Sequence, residues 1–233
     1  GAILNEARED AELIYAGKRA SNHHLRQWET NALLVEKALE GKKVARVKGG
    51  DPFIFGRGGE EAQELLKAGV EFEIVPGVSS SYAAPAYAGI PVTHRDFASS
   101  FHVITGHESA DKSGLVLDYA TLAKEEGTLV FLMGLKNLPH IAAELIAHGK
   151  NPETPAAVVQ SGTTARQRVV TGVLASIADT AREAGIETPA ITVVGDVVTL
   201  QQQLFWLEDK PLCGKRVLLT GTKPMCEKQR QVL

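Results

Sequence analysis

Short runs rich in β-branched residues alternate with longer helical patterns along nearly the whole chain, and this alternation limits the possible folds more than any other feature. The runs "AELIYAG" (11–17), "VARV" (44–47) and "EFEIV" (71–75) read as strands, as do "FHVIT" (101–105), "TLVFLM" (128–133), "AAVVQ" (156–160), "VVTGVL" (169–174) and "AITVVGDVV" (190–198). Between them lie helices. "ETNALLVEKALEGKK" sets Leu33, Leu34, Ala38 and Leu39 on one apolar face and meets a natural stop at Gly41. "GGEEAQELLKAG" has Glu60 and Glu61 in its first turn, where the helix dipole favours acids, and Gly69 at its end. "SSSYAAPAYAG" is a small-residue helix opened by serine caps. Alternation of this kind implies α/β layers with a mostly parallel sheet. The pattern starts afresh after "IPVTHRDFASS", so a lobe boundary is expected near Pro91 to Ser100. The expected organisation is an N-terminal α/β lobe at 1–96, its start missing, and a C-terminal α/β lobe at 97–208. Lys210 and Pro211 then read as a linker, and "KRVLLT" as the first strand of a further domain within 209–233.

The 233 residues, 44% hydrophobic and 23% charged, suffice for cores of this size. A formal net charge of -3 gives no basic field for nucleic acid. No apolar run is long enough to cross a membrane. The two cysteines, Cys213 and Cys226, fit neither a zinc spacing nor a disulfide framework, so a reducing, cytoplasmic setting and no metal are expected.

The stretch "VKGGDPFIFGRGGEE" (47–61) is the most informative. It departs from both the phosphate-binding and the dinucleotide-binding glycine templates: five residues separate Gly50 from Gly56, and Arg57 stands where a lysine is required. Its charges also oppose an anion, because Asp51 precedes the helix and Glu60 and Glu61 sit inside it. Glycines for close backbone approach beside a carboxylate suit a ligand with an amine or a ribose, and S-adenosylmethionine has both. The plainer alternative is a tight strand-to-helix turn with a self-capping Asp51.

This stretch, followed by "VPGVSS", "AGIPVTHRD", "MGLKNLP", "VVQSGTTARQRVVTG" and "PAITVVGDVV", resembles the tetrapyrrole (corrin/porphyrin) methylase family, and within it the enzymes that C-methylate uroporphyrinogen III. The likeness runs from about Ala11 to Trp206. It implies a two-lobed fold, each lobe an α/β/α layer, with the active cleft between lobes. It implies a homodimer that transfers two methyl groups from S-adenosylmethionine to C-2 and C-7 of uroporphyrinogen III, giving precorrin-2 for siroheme or cobalamin. By the same likeness the donor touches Gly49, Gly50, Asp51, Ile54, Ser79, Ser80, Met133 and Gly162. Taken singly, Met133 reads as core filler, Ser79 and Ser80 as helix caps, and Gly162 as a turn. Lys18 aligns with the family's proton donor, whose partner carboxylate and first glycine-proline loop are expected upstream of Gly1. Arg57 and Arg95 are expected to hold substrate carboxylates, and Glu60 to hold Arg57 or meet a pyrrole N–H. "PLCGKRVLLTGT" resembles the start of a uroporphyrinogen-III synthase, although Gly221 stands where that family usually has arginine. Other readings are a methyltransferase acting on a later corrinoid and a non-catalytic ligand-binding fragment.

Overall fold

The computed structural model describes residues 2–16, 25–106, 117–207, 210–215 and 217–230. The chain divides into two compact units, Gly1–Gly77 and Val78–Leu233.

In the first unit two helices form where the glycine stops predict them. Helix α1 (Gln27–Leu39) is followed by Gly41 at φ 80°, and α2 (Gly58–Lys67) by Gly69 at φ 70°. The predicted apolar face of α1 is only partly covered, and Leu39 is 66% exposed. None of the three strands expected here forms. Segments 11–16, 44–47 and 71–75 make no ladder among the described residues, and Val44, Val47, Phe72 and Val75 remain exposed. A strand needs a partner as well as a propensity, and β-branched runs without one stay extended but unpaired.

The second unit holds a five-stranded sheet in the order β1-β2-β5-β3-β4, formed by β1 (Phe101–Thr105), β2 (Thr128–Leu132), β3 (Pro155–Gln160), β4 (Arg168–Val173) and β5 (Ala190–Val194). The expectation of a mostly parallel sheet is overturned. Among the described residues only β1 and β2 pair in parallel, and the other ladders are antiparallel. The reason lies in the connections: the short link 161–167 turns β3 straight back into β4, which permits only an antiparallel pair.

Strand β2, interior to the sheet, is buried throughout, and its alternation feeds two cores. Leu129 and Phe131 pack with Ile141, Leu145, Val158 and Ile177 beneath α4 (Tyr119–Lys124), α5 (Leu138–Ala147) and α6 (Ile177–Glu183). Val130 and Leu132 face Ala84, Ile90, Val159, Val193 and Val197 on the other side, under α3 (Ser80–Tyr87) and the 3-10 turn Asp196–Leu200. This unit is therefore an α/β/α layer. Helix α3 precedes the expected boundary but belongs by its packing to the second unit. Two further helices, α7 (Gln201–Leu204) and α8 (Lys223–Arg230), follow the sheet, and 217–220 form no strand.

Candidate functional site

The loop after residue 48 is built around Asp51. Its Oδ1 accepts the backbone N–H groups of Phe53 (2.8 Å) and Ile54 (3.2 Å), and its Oδ2 accepts that of Gly77 (2.9 Å). These bonds, that from Gly77 first, hold the carboxyl below the usual aspartate range. The self-capping alternative thus describes the carboxylate, which ties two glycine turns together. Gly77 approaches so closely that a Cβ on it would meet the Gly50 carbonyl oxygen at 2.4 Å, and Gly50 itself has φ 79°. Beyond the turn, Phe53, Ile54 and Phe55 expose apolar side chains at the loop tip.

Arg57 caps α2 in a left-handed conformation, and Glu60 grips it with both oxygens: Nε to Oε1 at 2.9 Å and Nη2 to Oε2 at 2.6 Å. The guanidinium is half exposed. Glu61 behaves differently from its neighbour. Its side chain is 6% exposed and accepts Lys48 Nζ on both oxygens (2.9 Å each), Arg46 Nε (3.3 Å) and Gln27 Nε2 (3.2 Å). Burial alone would raise this carboxyl, but the bonds from Lys48 and Gln27 and the charge of Arg46 bring it below the ordinary range. The acid that a sequence reader counts against an anion is thus neutralised, and it clamps the two cations that lead into Gly49. Its partners lie far along the chain, so no local pattern announces the cluster.

In the second unit the strand directions bring several loops to one end of the sheet. Leu132 and Val159 both stand opposite Ile191, so the chain leaves β2 and β3 on the same side. Met133 leaves β2 there, 56% exposed and at φ 57°. The core-filler alternative is therefore wrong, because a core side chain is buried and that of Met133 is not. Beside it, Gly106 follows the parallel strand β1, and a Cβ on Gly106 would meet Gly134 Cα at 2.4 Å. Ser161, Gly162 and Thr163 follow β3, with Ser161 at φ 49° and Thr163 at φ 67°. A Cβ on Gly162 would meet that of Ala84, on α3, at 2.4 Å. Ser79 is 3% exposed and does cap α3, accepting Ser81 N–H at 3.2 Å and pairing with Ser81 Oγ at 2.9 Å; Ser80 is exposed.

The five non-glycine residues with positive φ among the described residues are Phe55, Arg57, Met133, Ser161 and Thr163. All five fall in the three loops that hold Gly49 to Ile54, Met133 and Gly162. Left-handed backbone costs a non-glycine residue about 1–2 kcal/mol, and such strain clusters where a ligand is held.

Lys18 lies outside the described residues. Arg95 is exposed in the turn His94–Ala98, just before β1. A cavity of about 650 Å³ elsewhere on the second unit is lined by Ile90, Pro91, Leu204, Phe205 and Trp206 and contains no charged side chain. Among the described residues no group of three or more His, Cys, Asp or Glu is placed to hold a metal ion.

An α/β unit with small and strained loops at the ends of its strands is a small-ligand-binding architecture. The family profile for tetrapyrrole (corrin/porphyrin) methylases matches residues 2–178, and the chain belongs to that family. It is 49% identical over 232 residues to a uroporphyrinogen-III C-methyltransferase of Bacillus subtilis, a match covering 98% of this chain and 48% of that protein. It is 55% identical over 203 residues to an S-adenosyl-L-methionine-dependent uroporphyrinogen III methyltransferase of Methanosarcina barkeri, covering 87% and 80%. The chain thus spans about half the length of the Bacillus relative. Among solved structures it resembles a uroporphyrin-III C-methyltransferase of Thermus thermophilus complexed with S-adenosylhomocysteine (TM-score 0.63, 38% identity, 75% of each chain). It also resembles a cobalt precorrin-4 methyltransferase (TM-score 0.71, 27% identity, 84% of this chain and 80% of that one).

Proposed function

We propose that this chain binds S-adenosylmethionine through its strained loops and methylates uroporphyrinogen III at C-2 and C-7, giving precorrin-2. The observation that carries the reading is the confinement, among the described residues, of positive-φ non-glycine residues to the loops holding Gly49, Gly50, Ile54, Met133 and Gly162. Close backbone approach at Gly50 and Gly162 leaves main-chain groups, rather than side chains, to meet the donor. Asp51 serves this arrangement by fixing the turn. The relatives' names support the substrate, and the Thermus complex supports the donor.

The chemistry asks for alignment more than for activation. The pyrrole carbon of a reduced tetrapyrrole attacks the sulfonium methyl, a C–C bond forms as the C–S bond breaks, S-adenosylhomocysteine leaves, and the tetrapyrrole loses one proton per transfer. We assign Lys18 to proton transfer. Arg57, pre-oriented by Glu60, meets a substrate carboxylate, and Arg95 is assigned to another. A homodimer and a synthase-like domain continuing from 209–233 are further parts of the proposal, supported by the family resemblance, as are a cytoplasmic setting and the absence of a metal requirement, supported by the spacing of Cys213 and Cys226.

The likeness to a cobalt precorrin-4 methyltransferase keeps a second reading in view, methylation of a later corrinoid. Incubation of the protein with S-adenosylmethionine and uroporphyrinogen III separates the two. A product heavier by two methyl groups, with the absorption of a dipyrrocorphin, supports the first; unchanged uroporphyrinogen alongside methylation of a corrinoid supports the second.

A further inference from the structure

We propose that Gln167 is a positioning residue for the methyl donor, an inference that rests on the assignment of Gly162 to the donor site. The side chain bridges two segments that nothing else hydrogen-bonds together among the described residues. Its Oε1 accepts the backbone N–H of Thr163 at 2.9 Å, and its Nε2 donates to the backbone carbonyl of Tyr87 at 2.9 Å. Both partners need what they receive. Thr163 is held in the left-handed region, at φ 67°, and its N–H donates to the Gln167 amide oxygen. Tyr87 is the last residue of α3, so its carbonyl is one of those a helix leaves without an internal partner. One partner demands an acceptor and the other a donor, and among side chains of this length only the glutamine amide supplies both.

The two segments are those that hold Gly162 and, at the far end of α3, Ser79 and Ser80. They also touch directly, since Gly162 packs against Ala84 with no room for a Cβ. Gln167 therefore sets how far the Gly162 turn stands from α3. The turn is otherwise braced within itself, by Thr164 Oγ1 donating to Ser161 O (2.7 Å) and Gln167 N–H donating to Thr164 O (3.0 Å), and its first residue is tied to the segment before β5 by Ser161 N–H donating to Pro189 O (2.9 Å). A turn that keeps its shape but loses its strut moves as a unit. The consequence is a misplaced donor rather than an unfolded loop.

The test compares Gln167→Met, Gln167→Glu and Gly162→Ala in the full-length protein. S-adenosylhomocysteine affinity is read by calorimetry, the two Michaelis constants by steady-state kinetics, and folding by thermal melting. Gln167→Met keeps the length and loses both bonds. It should weaken S-adenosylhomocysteine binding and raise the donor KM by about tenfold, the affinity equivalent of the hydrogen-bond energy lost with the strut, with the tetrapyrrole KM unchanged. Gln167→Glu keeps the acceptor for Thr163 but opposes the Tyr87 carbonyl, and should fall at or beyond Gln167→Met. Wild-type donor affinity in a folded Gln167→Met, with Gly162→Ala impaired, would overturn the role of Gln167 and leave the donor site standing. Wild-type affinity in both would overturn the donor assignment of Gly162 itself. If Gln167→Met fails to fold and Gln167→Glu folds with donor and tetrapyrrole constants raised alike, the residue is structural and the inference fails.

Discussion

Replacing Glu61 by glutamine tests the account of the first unit most severely, because the change is one atom and a charge. In the native state the carboxylate is 6% exposed and serves Lys48, itself 12% exposed, with both oxygens, along with Arg46 and Gln27. Glutamine keeps the shape, leaves the lysine ammonium buried without its counter-charge and turns an amide group toward the cations. Removing one partner of a buried pair costs about 3–5 kcal/mol. The lower half of that range is expected here, since Arg46 is partly solvated at 31% exposure. Urea denaturation followed by Trp28 fluorescence, in a Trp206→Phe background, reads the unit that contains α1. The native carboxyl is depressed below its ordinary value of 4.5. Its contribution is therefore fully present above that pH and is lost as pH falls through the lower folded value. The gap between wild type and Glu61→Gln should be widest near neutrality and shrink below about pH 4.5. The double change Lys48→Met with Glu61→Gln should be less damaging than Glu61→Gln alone, because no ammonium is then stranded. A gap under about 1 kcal/mol at neutral pH, or one independent of pH, would refute the reasoning.

Further outcomes are expected. Gly50→Ala places a Cβ where φ is 79° and should weaken S-adenosylhomocysteine binding by calorimetry while the protein remains folded. Arg57→Ala and Arg95→Ala should raise the tetrapyrrole KM and leave donor affinity alone; selective loss of donor binding would assign either residue to the other ligand. Lys18→Met should lower turnover by roughly a hundredfold or more with both ligands still bound, as single-turnover kinetics would show.

What the sequence shows of this fold depends on how local each cause is. Every strand of the second unit follows from a β-branched run, and α1, α2 and α3 from caps and glycine stops. Strand direction is not legible in this way because it belongs to connections: the pattern "VVQSGTTARQRVV" contains a hairpin that alternation alone does not separate from a crossover. The β-branched runs of the first unit form no ladder among the described residues because pairing is a property of two segments. At the site, Asp51 was legible as a turn-former, and the grip of Glu60 on Arg57 follows from their spacing. Met133 was not legible from its side chain, since softness says nothing about φ; the glycine after it was the available hint. Glu61 and Gln167 act on partners remote in sequence, Lys48 and Tyr87 among them, and only the folded chain brings these together.

The central claim is that three strained loops hold the methyl donor. Amide hydrogen exchange of the protein with and without S-adenosylhomocysteine tests it directly. The account predicts slowed exchange at Gly49 to Ile54, at Met133 and Gly134, and at Ser161 to Thr163, with little change around the cavity lined by Ile90, Phe205 and Trp206. Protection centred on that cavity, with the three loops unaffected by the ligand, would contradict it.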